Sequence, residues 1–179
     1  MSDPAPDTTD LRAGAPIHDD LLALLPLVGV WRGTGAGVVP SSGEQFTYGQ
    51  LVTFAHDGRP FLGYESRSWL TTPDGDVIRQ AWRETGFWRP GRDEDAIEAV
   101  LASNTGQALV FAGTAGDQQW DLATTVAAHT STADDVDAER RFYAVRGDEL
   151  LYATELATPG AALAAHLNGR LVRQPAAQA

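Results

Sequence analysis

The chain has 179 residues, no cysteine, a formal net charge of −11 and 43% hydrophobic residues, a composition that fits one domain with a sizeable core. The missing cysteines exclude disulfides, thiolate catalysis, zinc–thiolate sites, iron–sulfur clusters and covalent haem attachment. The acidic charge argues against phosphate backbones and anionic membranes, so we expect neither nucleic acid nor a membrane as a partner. No apolar run of about 18 residues occurs, so no transmembrane helix is expected.

The N-terminal stretch is acidic and precedes a short apolar run. Residues 1–17 are rich in Pro, Ala and Asp and lack the basic-then-apolar pattern of a signal peptide. We therefore predict a disordered tail over 1–17, a single domain over 18–175 and a cytoplasmic protein. Asp19 and Asp20 then precede LLALLPLVG, which predicts a short helix that these aspartates cap and Pro26 ends.

Beyond this helix the chain consists of short runs rich in Val, Thr, Phe, Tyr and Trp. Turn sequences such as HDGRP, TPDGD, SNTGQ and VRGDE separate them, and no helical pattern intervenes. The runs predict about ten antiparallel strands, near residues 28–39, 45–56, 61–71, 77–89, 96–102, 107–113, 119–128, 140–146, 149–157 and 166–173. The fold class is therefore all-β, an antiparallel up-and-down barrel with a short N-terminal helix. A barrel of this size encloses a ligand cavity.

The first predicted strand carries the unusual sequence GVWRGTG. Residues two apart on a strand share a face, so Gly29, Trp31, Gly33 and Gly35 lie together. Glycines allow a strand to bend sharply at a barrel corner, or allow a second backbone or a flat ligand to approach closely. Trp31 is expected to plug one end of the barrel. The motif is explained by barrel geometry alone or by a ligand, and both interpretations stay open at this point.

The chain resembles the nitrobindin family. GVWRGTG is followed in order by FTYGQLVTFAHDGRPFLGYESRSW, ETGFWR, NTG, GDELLYATELA and AAHLNGRLVR, and together these matches span about residues 18–173. The resemblance implies a compact ten-stranded barrel that holds one haem b per chain without a covalent bond. It further implies reversible nitric oxide binding and an enzyme that isomerises peroxynitrite to nitrate at the ferric iron, with no catalytic group beyond that iron.

A haem iron needs an axial ligand from the protein. With no cysteine, and methionine only at position 1, the candidates are His18, His56, His129 and His166, or a tyrosine. From the residues alone, His56 is interpreted as a solvated turn histidine and His129 as a strand-end residue facing a polar loop. The resemblance assigns His166, in the segment AAHLNGRLVR, as the axial iron ligand. Its second ring nitrogen should bond an acceptor, and the neighbouring alanines should let a porphyrin come close.

Other residues are candidate contacts for the haem. The resemblance places Ser41 where the family has a threonine that contacts haem, although an ordinary turn serine explains VPS equally well. Some bacterial members have a basic residue before the eighth strand, where this chain is acidic. Arg140 or Arg141 could serve a propionate instead, but a solvated arginine on a strand face is the simpler interpretation, and neither is assigned.

Alternatives to this function remain open. The sequence shows no distal His–Arg pair of the peroxidase type, and its apolar composition predicts a dry iron site. A lipocalin-like or fatty-acid-binding-like carrier would use the same barrel without iron, and an internal arginine pair would favour it. A nitric oxide sensor is a third interpretation. A homodimer is compatible with the sequence but is not required by it.

Overall fold

Ten antiparallel strands close into one barrel in the computed structural model, which describes residues 5–175. The strands are β1 (Gly29–Val38), β2 (Gln45–Ala55), β3 (Leu62–Thr71), β4 (Val77–Pro90), β5 (Ala96–Ser103), β6 (Gln107–Gly116), β7 (Gln119–His129), β8 (Ala138–Arg146), β9 (Glu149–Ala157) and β10 (Ala164–Arg173). Each strand pairs with the next, and β10 returns to pair with β1. The predicted fold class is confirmed.

A 3₁₀ helix over Asp19–Leu27 lies against one end of the barrel. Its cap and its end differ from the sequence prediction, which was wrong on both points. His18 is the N-cap, because its Nδ1 accepts a hydrogen bond from the Asp20 backbone N–H at 3.3 Å. Pro26 lies inside the last turn of the helix and does not end it. The Val28 N–H, beyond the proline, donates to the Leu25 carbonyl at 3.1 Å. No helix within residues 5–175 is long and apolar enough to cross a membrane.

Two buried tryptophans fasten this helix to the barrel. The Trp31 Nε1–H donates to the Leu27 carbonyl at 2.7 Å, and the Trp120 Nε1–H donates to the Ala23 carbonyl at 2.9 Å. Both indole rings are fully buried, which satisfies the rule that a buried indole N–H finds an acceptor. Trp31 therefore lies at the closed end of the barrel, the position that its place at the start of the first strand predicted.

The glycines of the first strand allow other groups to approach its inner face. A Cβ atom on Gly33 would overlap the Arg170 carbonyl oxygen of β10. A Cβ atom on Gly35 would overlap the Asn168 carbonyl oxygen and the Tyr48 ring. The neighbouring backbone and a tyrosine, rather than a flat ligand, thus occupy the space that these glycines leave. The barrel-geometry interpretation accounts for the motif.

Residues 8, 15 and 16 of the predicted disordered tail contact the barrel, and residues 1–4 of that tail lie outside the described residues. The Thr8 N–H donates to the His56 carbonyl at 2.8 Å, and the His56 N–H donates back at 2.9 Å. Ala15 and Pro16 lie against Gly58, in the turn between β2 and β3. His56 is 1% exposed, so the prediction of a solvated turn histidine was wrong: the N-terminal segment covers it.

Two irregularities shape the open end of the barrel. The pairing of β4 with β5 begins at Glu84 and Ser103, so residues 77–83 of β4 pair with β3 alone within the described chain. In β10 the register with β9 shifts between Ala165 and Leu167, which marks a β-bulge at His166. Bulges at barrel rims redirect side chains.

Candidate functional site

A cavity of about 900 Å³ opens at the end of the barrel opposite the helix. The helix lies just before the first residue of β1, whereas Val39, Pro40 and Ser41, which line the cavity, follow the last residue of β1. The helix and the cavity are therefore at opposite ends of this strand. The floor separating the two ends is the packed aromatic layer around Trp31 and Trp88. The volume of the cavity falls in the range of about 300–1,000 Å³ that is usual for small-molecule and cofactor sites.

His166 lines this cavity from the bulge in β10. Its Nδ1 lies 2.9 Å from the carbonyl oxygen of Val38, at the end of β1. Because a carbonyl oxygen can only accept a hydrogen bond, Nδ1 carries the hydrogen, and Nε2 of the neutral ring keeps its lone pair. A histidine oriented in this way is a metal ligand whose other nitrogen is held by a backbone acceptor.

The other three histidines do not line the cavity. His18 caps the helix, and His56 is buried at the closed end of the barrel. The His129 side chain is 41% exposed, and its Nδ1 lies 3.3 Å from Asp135 Oδ1. Of the four histidines in the chain, the geometry thus leaves His166 as the one that can reach a ligand in the cavity.

Ser41 also lines the cavity, from the loop between β1 and β2, so the structure brings it together with His166. The alanines beside the histidine do not have the role expected of them. Ala164 and Ala165 are exposed and do not line the cavity, whereas Leu167, on the other side of the bulge, does.

Aromatic side chains form much of the cavity wall. Phe46, Tyr64 and Trp82 line it from β2, β3 and β4. Tyr143 and Tyr152 were missed, and their rings stack with centroids 5.6 Å apart. The strand alternation of β8 and β9 was the available signal, because both residues share a face with neighbours that are buried.

Hydrogen bonds between hydroxyl and amide groups join the side chains of one part of the cavity wall, on β2, β3 and β9. The Tyr152 hydroxyl donates to Gln50 Oε1 at 2.6 Å, and Gln50 Nε2 donates to Ser66 Oγ at 2.9 Å. The Tyr48 hydroxyl contacts that of Tyr152 and lies 2.8 Å from the Asn168 carbonyl oxygen. Burial raises the pKa of both tyrosines, so the phenols stay protonated. The wall is therefore polar here, although the apolar composition of the chain predicted a dry iron site.

The two candidate arginines of β8 point to opposite sides of the barrel wall. Arg140 is exposed and forms a two-pronged ion pair with Asp121, at 3.0 and 2.6 Å. Arg141 is only 8% exposed and lines the cavity, where it pairs with Glu84 and Glu139. The prediction of a solvated arginine was therefore right for Arg140 and wrong for Arg141.

The mouth of the cavity is mostly acidic. Glu44, Asp134 and Asp135 line it, and each would repel an anionic group at the edge of a ligand. Arg79 lines the mouth from the stretch of β4 that pairs with β3 alone. Its Nη1 donates to the Gln80 carbonyl at 3.2 Å, and no carboxylate of the described residues pairs with it. Sequence reasoning missed Arg79.

These residues fit a haem. His166 offers an imidazole nitrogen, Phe46 and Trp82 offer faces for a flat macrocycle, and Arg79 offers a cation for a propionate. The polar mouth and apolar walls match a ligand with a charged edge and an apolar body. The arrangement can therefore hold an iron porphyrin with its charged edge outward.

Comparisons with known proteins agree with this geometry. The sequence model of the "THAP4-like, heme-binding beta-barrel domain" family matches residues 20–173. A protein named peroxynitrite isomerase from Streptomyces griseus is 45% identical, over 98% of this chain and 95% of its own length. Another of that name from Salinispora arenicola is 43% identical, over 96% of this chain and 90% of its own length.

A solved structure and a further relative extend the comparison. The crystal structure of Rv2717c from M. tuberculosis matches with a TM-score of 0.78 and 34% identity, covering 89% of this chain and 99% of that one. A protein named ferric nitrobindin-like protein from Saccharopolyspora erythraea is 43% identical over 93% of this chain and 79% of its own length. The chain thus belongs to the family of THAP4-like, heme-binding β-barrel domains.

Proposed function

We propose that this chain holds one haem b without a covalent bond and that the ferric holoprotein binds nitric oxide and isomerises peroxynitrite to nitrate. Two relatives that carry the name peroxynitrite isomerase support the reaction, at 43% and 45% identity over nearly the whole chain. Bound haem supplies a Lewis-acidic iron with an open coordination position, which is the chemistry that rearranging peroxynitrite requires. The chain supplies the axial ligand, the orientation and the enclosure.

His166 binds the iron in this proposal. The observation that carries the assignment is the hydrogen bond from Nδ1 to the Val38 carbonyl, which leaves Nε2 free on the cavity wall. This bond fixes the orientation of the ring and increases the basicity of Nε2. Because the bond joins the end of β1 to the bulge in β10, the two strands hold the imidazole in place before any ligand arrives.

The remaining residues position the cofactor. Leu70, Leu109 and Leu167 enclose the macrocycle and exclude water, which strengthens electrostatic interactions at the iron. Ser41 and Arg79 hold the propionates at the mouth, the serine as a hydroxyl donor and the arginine through charge-assisted hydrogen bonds. The acidic residues of the mouth leave Arg79 as the favourable place for a carboxylate.

Product analysis tests the reaction. We expect the hemin-loaded full-length chain to accelerate peroxynitrite decay in rapid mixing and to raise the yield of nitrate relative to nitrite. The haem-free chain is the matched control and should leave both the rate and the yield at their buffer values. Decay of peroxynitrite at the same rate with and without hemin would contradict the proposed reaction.

Nitric oxide binding is tested separately: addition of nitric oxide to the hemin-loaded chain should shift the Soret band.

The location and the assembly complete the proposal. We propose that the protein is cytoplasmic. Cell fractionation tests this, and a signal from the membrane or the medium would contradict it. The domain is proposed to span residues 18–175. Sedimentation of the purified chain decides whether the protein is a monomer or a homodimer.

A further inference from the structure

The guanidinium of Arg141 is nearly saturated by two carboxylates on the cavity wall. Its Nη1 and Nη2 donate to Glu84 at 2.6 and 2.7 Å. Its Nε and Nη2 donate to Glu139 at 2.8 and 3.0 Å. Four of the five N–H donors of the side chain are therefore used within this cluster. The ring of Phe111 covers the guanidinium at 4.9 Å from its centroid.

Counted by formal charge, the cluster has one carboxylate more than it has guanidinium groups. Two carboxylates face one guanidinium, and all three residues line the cavity. Burial lowers the pKa of Arg141, but the charges of Glu139 and Glu84 outweigh this effect and raise it well above its ordinary value. A carboxylate that passed Arg79 at the mouth and reached the inner wall would find no free guanidinium there and would face the carboxylates of Glu84 and Glu139.

This arrangement bears on which ligands the barrel accepts. A carrier of fatty acids would need a free internal arginine to bind the carboxylate, and Arg141 is the one buried arginine among the described residues. We propose that Glu84 and Glu139 are specificity-determining residues, which occupy Arg141 and so exclude carboxylate ligands with apolar tails from the cavity. Specificity of this kind comes from interactions that penalise the wrong ligand.

The packing around the cluster favours this role over a purely structural one. The helix end of the barrel is closed by an apolar layer that includes Leu24, Trp31 and Trp120, so closure does not depend on an ion cluster. Buried ion pairs can generally be replaced by apolar residues of similar volume with little loss of stability. The three charged groups instead line the cavity, where a ligand meets them.

Removing the two charges should create a carboxylate site. In the Glu84→Gln/Glu139→Gln variant, the amides keep their size and hydrogen-bonding capacity while Arg141 loses its counter-charges. A buried, uncompensated guanidinium attracts an anion. We therefore expect hexadecanoate to bind this variant at least about tenfold more tightly than it binds the wild type. Hexadecanol, which has the same tail without the charge, should show no such gain.

The experiment is a calorimetric titration of the full-length chain before any hemin is added. The matched control is the Glu84→Gln/Arg141→Gln/Glu139→Gln variant, which has no charge in the cluster and should show no gain. Thermal unfolding confirms that each variant is folded. If the double variant does not fold, the single variants Glu84→Gln and Glu139→Gln decide, since each still removes one counter-charge and should show a smaller gain.

Three results would overturn the proposal. These are tight binding of hexadecanoate by the wild type, no gain in any folded charge-removal variant, and an equal gain for hexadecanol. None of these results depends on haem. A failure of the wild type to bind hemin would count against the proposed function and would leave this inference unaffected, so the two can fail separately.

Discussion

At the scale of single residues, Arg79 is the residue that we propose for binding the anionic edge of the ligand. It is the cation at the cavity mouth without a carboxylate partner in the described chain, whereas Glu44, Asp134 and Asp135 repel anions. Arg79→Gln should weaken hemin binding by about ten- to a hundredfold, because a charge-assisted hydrogen bond is worth about 1.5–3 kcal/mol. The measurement is the rate of hemin transfer to an excess of a high-affinity acceptor protein.

The dimethyl ester of hemin separates the effect of the propionate charge from other effects of the substitution. Because this probe lacks propionate charges, Arg79→Gln should bind it as tightly as the wild type does. Arg89→Gln is the matched control, since Arg89 lies at the other end of the same strand and pairs with Glu98 at 3.3 Å. An equal loss for hemin and for its ester would show that Arg79 supports the mouth structurally and does not bind a propionate.

All four tyrosines of the chain are buried in the barrel interior. Burial raises the pKa of Tyr48, Tyr64, Tyr143 and Tyr152, because phenolate is poorly solvated there. The folded state therefore holds these protons more tightly than the unfolded chain does. The stabilisation is complete below the ordinary tyrosine pKa of about 10 and declines as the pH rises above it.

An alkaline titration followed by near-ultraviolet absorbance tests this. We expect no tyrosinate while the barrel stays folded, and then the appearance of all four tyrosinates in the same cooperative transition that abolishes the circular dichroism of the strands. In denaturant, the same chain should titrate with the ordinary pKa. Gradual formation of tyrosinate in the native barrel would place at least one of these hydroxyls in contact with solvent.

At the scale of elements, the closed end of the barrel depends on the contact between the helix and β1. Trp31 is fully buried, donates to Leu27, and lies 4.0 Å from the Arg173 guanidinium. Trp31→Ala should lower the free energy of unfolding by about 3–5 kcal/mol, the usual cost of truncating a buried tryptophan. Trp69→Ala, on the outer face of β3, is the control and should cost less. Denaturant unfolding measures both, and equal losses would contradict this account.

The N-terminal segment covers the closed end rather than the cavity. A chain that begins at His18 loses the two backbone hydrogen bonds between Thr8 and His56. At about 0.5–1.5 kcal/mol each, their loss should lower the free energy of unfolding by about 1–3 kcal/mol. Hemin binding should stay unchanged, because His166 lies at the opposite end of the barrel. Loss of hemin binding on truncation would show that the segment supports the cavity.

At the scale of the whole molecule, the sequence predicted the barrel because strand alternation and turn residues are local signals. The turn residues mark where each of the ten strands begins and ends. Because side chains of a strand alternate between its two faces, the sequence also predicts which residues of β1 lie on the same face. The same period, applied to β8, places Arg141 with Tyr143 and Val145 on the inner face and Arg140 on the outer one. The burial of Arg141 is therefore a feature that the sequence pattern alone can predict.

Other features depend on contacts that the sequence does not express locally. The bulge at His166 arises from the register between β9 and β10, and Glu84 meets Arg141 across 57 residues of sequence. Arg79 lies at the mouth because β4 extends beyond the start of its pairing with β5. Burial of His56 depends on a segment that composition alone describes as disordered. These are products of strand register and chain packing.

The measurement that tests the central claim most directly is a hemin titration of the full-length chain, followed at the Soret band, in three forms. The wild type and the His129→Ala variant should saturate at one haem per chain. His166→Ala should stay folded but bind hemin about a hundredfold or more weakly, since even groups that only support a metal ligand are worth about 10–100-fold in affinity. Added imidazole should partly restore its spectrum. An unchanged Soret band and affinity in His166→Ala would contradict the assignment of His166 as the iron ligand.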